Sequence, residues 1–121
     1  MEKPTILICD DELGVRESLK LILEKEYALA FSENGEEAVE YVKTHDVDLM
    51  ITDVKMQKMS GLEALAEIQR IKPNTRVLIV TGYESSDVAA QAVKLGAAAY
   101  LTKPFDRQKV LEHVRTLLQK G

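Results

Sequence analysis

Thr5-Ile6-Leu7-Ile8-Cys9-Asp10-Asp11-Glu12 is the stretch from which the fold can be read. Residues 5–9 are almost continuously apolar, the mark of a short strand covered on both faces. Three carboxylates follow without a spacer, so the chain surfaces abruptly at the strand's C-terminal end. Past them Val15, Leu19, Ile22 and Leu23 recur at helical spacing. The cadence then repeats. Residues 27–31 read as a strand, Asn34-Gly35 as a turn, and Ala38, Val39 and Val42 as the inner stripe of a second helix. A third strand covers 47–52, and Gly61 precedes a helix turned inward through Leu62, Leu65 and Ile68. Pro73 and Asn74 punctuate the link to 77–80, the clearest strand of all. Val88, Ala92 and Val93 carry a fourth helix closed by Gly96, residues 98–101 form a fifth strand, and Val110, Val114, Leu117 and Leu118 mark the last helix.

Strands alternating with helices, with no composition break, internal linker or repeat, call for a parallel sheet with helices on both faces. Right-handed crossovers reduce the choices to doubly wound orders. The strand order 2-1-3-4-5, taken over from characterised doubly wound proteins, suits five units. The expectation is therefore an α/β, flavodoxin-like (βα)5 fold occupying residues 1–121 as one domain.

A chain of 121 residues, 45% hydrophobic and 30% charged, has the size and balance of an ordinary globular domain. Its net charge of -4 argues against direct nucleic-acid binding, which needs a basic excess. The one cysteine, Cys9, excludes an internal disulfide, and its apolar neighbours point to a buried structural thiol rather than a redox centre. The first residues lack the apolar core of a secretory signal, and no run approaches membrane-spanning length. The expected location is cytoplasmic.

Polar residues fall at matching places. Asp10 and Asp11 follow the first strand, Asp53 the third, Thr81 the fourth and Lys103 the fifth. In a parallel sheet these positions share one edge, where a doubly wound fold has its ligand crevice. Two carboxylates about 4 Å apart repel by roughly 4 kcal/mol at an effective dielectric of about 20, so such a cluster calls for a cation. Oxygen donors with no His or Cys beside them favour a hard ion such as Mg²⁺. Three aspartates against one divalent ion and one ammonium leave the site balanced, and both cations favour an ionised, nucleophilic Asp53. A hydroxyl, an ammonium and a divalent ion are also what a phosphoryl group's oxygens require.

Each residue has a plainer reading. Asp10 and Asp11 could cap the following helix, Asp53 could be a loop carboxylate, Thr81 a cap and Lys103 a solvated lysine. Taken together those readings need a coincidence at every strand end. Glu12 reads as surface or cap rather than ligand, and His45 and His113 as solvated.

The motifs Ile8-Cys9-Asp10-Asp11-Glu12, Ile51-Thr52-Asp53-Val54-Lys55-Met56 and Met59-Ser60-Gly61-Leu62-Glu63 occur in that order. They are followed by Val80-Thr81-Gly82, Lys94-Leu95-Gly96-Ala97 and Tyr100-Leu101-Thr102-Lys103-Pro104-Phe105. In this order and spacing the sequence resembles the response-regulator receiver family of two-component systems over essentially its whole length. The resemblance implies that Asp53 accepts a phosphoryl group from a sensor histidine kinase. It implies that Asp11 binds Mg²⁺ directly and Asp10 largely through water, with Asp53 and the backbone carbonyl of Lys55 completing the protein ligands. Lys103 would pair with the phosphoryl group, and the bond from Lys103 to Pro104 would be cis. Thr81 and Tyr100 would form the switch that remodels the face of helix four, strand five and helix five. Tyr100 as an ordinary half-buried strand aromatic is the plainer alternative. Such a domain is a signalling switch rather than a conventional turnover enzyme. It would control an output domain or partner and could dimerise through that face.

One departure stands out: Gln57 occupies the place where the family usually has proline, which leaves the phosphoacceptor loop less restricted. Lys55 and Tyr83 lie two residues beyond Asp53 and Thr81, and Tyr83 is expected to shield the acyl phosphate from water. The segments 81–83 and 97–105 lean toward receivers of NtrC-type transcriptional regulators. By the same resemblance a kinase would dock around Leu13, Arg16 and Glu17. Rival readings fit less well. A haloacid-dehalogenase-type hydrolase needs Asp-x-Asp after the first strand, and a flavodoxin-type nucleotide module needs a loop rich in Gly, Ser or Thr there. An unphosphorylated receiver-like interaction module would show loss of Asp53, Lys103 or the acidic pair.

Overall fold

In the computed structural model, residues 3–82 and 86–119 are described. The elements run β1 (Thr5–Cys9), α1 (Leu13–Leu23), β2 (Ala28–Ser32), α2 (Gly35–Thr44), β3 (Leu49–Thr52), α3 (Gly61–Ile71), β4 (Arg76–Thr81), α4 (Ser86–Lys94), β5 (Ala99–Thr102) and α5 (Arg107–Leu118). All strand pairings are parallel, as the strand–helix alternation of the sequence predicts, and the order β2-β1-β3-β4-β5 is the one taken over from doubly wound proteins.

The continuous apolar runs are explained by two core layers. Alternate strand residues Leu7, Cys9, Met50, Val77 and Ile79 pack with α2, α3 and Ala92 of α4 on one face. Ile6, Ile8, Leu49, Ile51, Leu78 and Val80 pack with α1 and α5 on the other. Burying each large aliphatic side chain contributes about 2 kcal/mol, which is why period-two alternation is missing from the central strands.

Helix starts follow local chemistry. The Asn34 side chain accepts from Glu37 N at 2.9 Å, and Asp106 accepts from Lys109 N at 2.8 Å. Ser60 and Glu63 form a reciprocal capping box at the start of α3. Gly96 ends α4 with φ at 102°, a left-handed conformation that glycine adopts without steric cost.

Three expectations shift. Val93 does not face inward but is 70% exposed: Val88 and Ala92, four apart, make the inner stripe, and Val93 lies about 100° further round the helix. Tyr27 is buried yet precedes β2, because its N–H closes α1 on Leu23 O and the ladder begins with Ala28 N on Pro4 O. Val47 likewise is buried ahead of β3. Among the described residues no helix is long and apolar enough to cross a membrane.

Candidate functional site

The ladder continues one rung beyond three strand ends, and those rungs deliver the site. Asp10 N bonds Ser32 O at 3.1 Å, Asp53 N bonds Cys9 O at 3.3 Å, and Lys103 N bonds Thr81 O at 2.9 Å. Side chains separated by many residues in the chain therefore emerge side by side at the C-terminal edge.

Lys103 is the hub. Its Nζ lies 2.7 Å from Asp53 Oδ2, 3.2 Å from Asp10 Oδ2 and 3.5 Å from Glu12 Oε1. Asp53 is mostly buried, and its Oδ1 accepts from Val54 N at 2.6 Å. That leaves Oδ2 toward the lysine and the crevice. Asp10 is 2% exposed, with Oδ1 accepting from Glu12 N at 2.9 Å. Burial pushes the Asp10 carboxyl above its ordinary range, and the Glu12 N–H and Lys103 only partly offset this. Burial works against the charge of Lys103, but the hydrogen bond to Asp53 and the charges of Asp10 and Asp53 prevail, so its net shift is upward.

Asp11 and Glu12 stand at the solvent side. Carboxylate oxygens of Asp10, Asp11 and Glu12 lie within 4.8 Å of one another. Glu12 is the N-cap residue of α1 and makes no side-chain cap bond. It is both exposed, as its sequence position suggests, and part of the acidic cluster. An all-oxygen donor set of this kind fits a hard divalent cation and offers nothing to a soft one. A cleft of about 460 Å³ is lined by Asp11, Glu12, Asp53, Lys55, Thr81 and Lys103, together with Gly82. Thr81 is buried at its edge, and Tyr100 is half-buried on β5 against the core layer shared with α3 and α4. The Lys103–Pro104 peptide is cis. Tyr83 lies outside the described residues.

The loop after Asp53 is shaped by features that motif reading alone leaves obscure. A Cβ on Gly61 would sit 1.9 Å from the carbonyl oxygen of Asp53, so only glycine allows this approach. Gly61 N bonds Val54 O, Thr52 Oγ1 bonds Asp53 O, and Gly35 N bonds Met59 O. Lys58 adopts φ of 64°, left-handed for a residue with a side chain, one place after Gln57. Cys9 is buried; its thiol donates to Asn34 O at 3.3 Å and burial raises its pKa, as a structural thiol requires. His45, the residue that caps the C-terminus of α2, is exposed but stacks on Tyr41 of that helix at 4.0 Å. His113 Nδ1 lies 2.8 Å from Lys109 O.

The class defined by fold and site is a doubly wound α/β protein whose sheet edge holds an acidic crevice bridged by one lysine. Residues 6–115 match the response regulator receiver domain, and the chain belongs to that family. Members of it are signalling switches rather than conventional enzymes. The chain is 39% identical over 110 residues to the transcriptional regulatory protein ZraR of Klebsiella oxytoca, covering 90% of this chain and 25% of that one. It is 36% identical over 114 residues to the chemotaxis protein CheY of Halobacterium salinarum, covering 93% of this chain and 95% of that one. Among solved structures, the CheX–CheY–BeF3–Mg complex of Borrelia burgdorferi superposes with a TM-score of 0.93 at 28% identity, covering 98% and 92% of the two chains. The chain thus spans about a quarter of the length of the transcriptional regulator and nearly all of the chemotaxis protein.

Proposed function

We propose that this chain is a phosphorylation-activated switch of a two-component system, accepting a phosphoryl group from a sensor histidine kinase onto Asp53. The observation that carries the reading is Lys103 Nζ, held at 2.7 Å from Asp53 and 3.2 Å from Asp10 at the mouth of the acidic crevice. Asp10, Asp11, Asp53 and the backbone carbonyl of Lys55 would hold Mg²⁺. Once bound, the ion supplies charge neutralisation for the phosphoryl oxygens.

In the transfer, an Asp53 carboxylate oxygen attacks phosphorus while the bond to the donor's imidazole nitrogen breaks, leaving an acyl phosphate here and a free histidine there. Val54 N fixes the other Asp53 oxygen, so the carboxylate presents one attacking atom. Lys103 gives up its direct contact with Asp53 and pairs with a phosphoryl oxygen instead. Thr81 donates its hydroxyl to another, and hydrolysis later returns Asp53 to a carboxylate. Thr81 ends β4 in register with Thr102 of the neighbouring β5, two residues from Tyr100, so movement of Thr81 would be passed along β5 to Tyr100. The output is a changed face of α4, β5 and α5, which would act on an output domain, a partner or a second copy in the cytoplasm. The likeness to a transcriptional regulator and to a stand-alone chemotaxis protein supports either arrangement.

Beryllofluoride with MgCl2 tests the switch. Amide shifts in an NMR spectrum should move at Thr81, Tyr100 and along α4 and α5, as well as beside Asp53. Changes confined to the neighbours of Asp53 would refute a switch, and no change at all would refute the site.

A further inference from the structure

We infer that Arg16 is a positioning residue of the acidic crevice, holding Asp10 in the geometry that a divalent cation requires. This rests on the reading of Asp10 and Asp11 as cation ligands. The expected docking patch groups Arg16 with Leu13 and Glu17, but only the latter two are exposed. Arg16 is half-buried and its Nη1 donates to the backbone carbonyl of Asp10 at 2.6 Å.

That bond completes a set. Asp10 N donates to Ser32 O, Oδ1 accepts from Glu12 N, Oδ2 meets Lys103, and the carbonyl takes Arg16. Every polar atom of this buried aspartate is therefore engaged. The turn from β1 into α1 also lacks the side-chain cap found at α2, α3 and α5. The Arg16 guanidinium ties that turn instead, through its bond to the Asp10 carbonyl. A small hard cation demands near-ideal placement of its oxygens, so a turn carrying Asp10, Asp11 and Glu12 gains from being pinned.

The charge of Arg16 pulls the other way. A guanidinium beside a cation site repels the cation, so if charge were its only effect, removing it would tighten binding. Positioning predicts the opposite sign. The two accounts can therefore be separated by direction alone.

The experiment is calorimetric titration of MgCl2 into the metal-stripped protein, comparing wild type, Arg16→Met and Arg16→Lys, with urea melts in EDTA to follow the fold. Arg16→Met keeps the apolar stem and removes the donors. Its Kd should rise about tenfold, in line with losing one outer-shell partner of a ligand. Arg16→Lys, with one ammonium in place of the fork, should recover part of that loss. A Kd unchanged or tighter in both variants overturns the inference while leaving the site intact. Absence of any Mg²⁺ binding by the wild-type protein overturns the cation reading itself, and this inference with it.

Discussion

At the C-terminal edge of the sheet Lys103 is only 17% exposed and is surrounded by carboxylates at 2.7, 3.2 and 3.5 Å. At the N-terminal edge Lys72 reaches Asp46 at 3.8 Å with that carboxylate fully in water. Asp48 there accepts the Thr5 amide at 2.8 Å, and Arg76 donates to the carbonyl of Leu117. Both ends set charge against charge and against backbone groups, but one does so under cover and the other in open water. The N-terminal cleft is also the larger, about 670 Å³ against 460 Å³. Volume does not mark the site. Buried, converging charge does.

The contrast can be broken first at its lysines. Lys103→Ala should destabilise the metal-free protein by about 3 kcal/mol, because it leaves Asp10 and Asp53 facing each other without a cation. Lys72→Ala should cost less than about 0.5 kcal/mol, as for other exposed pairs. Urea titration in EDTA measures both, and equal losses would erase the distinction between the two ends. Within the crevice, Gly61→Ala should cost about 2 kcal/mol through its clash with Asp53 O. Gly82→Ala, where a Cβ would meet Lys103 at 3.8 Å and nothing nearer among the described residues beyond its chain neighbours, should cost less than about 0.5 kcal/mol.

A third change should act in the opposite direction. Burial raises the Asp10 pKa in the folded state, so protonation favours folding. That stabilisation is fully present below the unfolded-state value of 3.8 and is lost as pH rises through the folded value. Asp10→Asn should therefore stabilise the metal-free protein at pH 7 by about 1 kcal/mol, with the gain over wild type shrinking in acid. Lys103 is raised as well, so its contribution persists across neutral pH and fades only above 10.5. Loss of stability in Asp10→Asn at pH 7 would contradict an over-acidic crevice. Lys58→Asn should give a gain of about 0.5 kcal/mol in the same urea titration, because asparagine tolerates φ of 64° better.

The core was legible wherever period decided it. The unbroken runs of β1 and β4 announce burial on both faces, and the strand ends alone place Asp10, Asp53, Thr81 and Lys103 on one edge. Legibility ended where a contact depends on direction rather than spacing. Val93 fits an apolar helical pattern but falls outside the Val88–Ala92 stripe in a helix of nine residues. Tyr27 looks like strand because it is aromatic, while its amide belongs to the end of α1. Arg16 reads as part of a docking surface, and nothing in its neighbours reveals that its guanidinium turns back to a carbonyl six residues earlier. Gly61 appears only as the residue before a helix, although the Asp53 carbonyl fills the space its side chain would need.

The most direct test is intact and peptide-level mass spectrometry after incubation with acetyl phosphate. With MgCl2 present, a single adduct of about 80 Da, the mass a phosphoryl group adds, should map to the peptide carrying Asp53, disappear with EDTA and be absent from Asp53→Asn. An unlabelled protein, or labelling that persists equally in EDTA, would contradict a metal-assisted aspartyl phosphate at this edge.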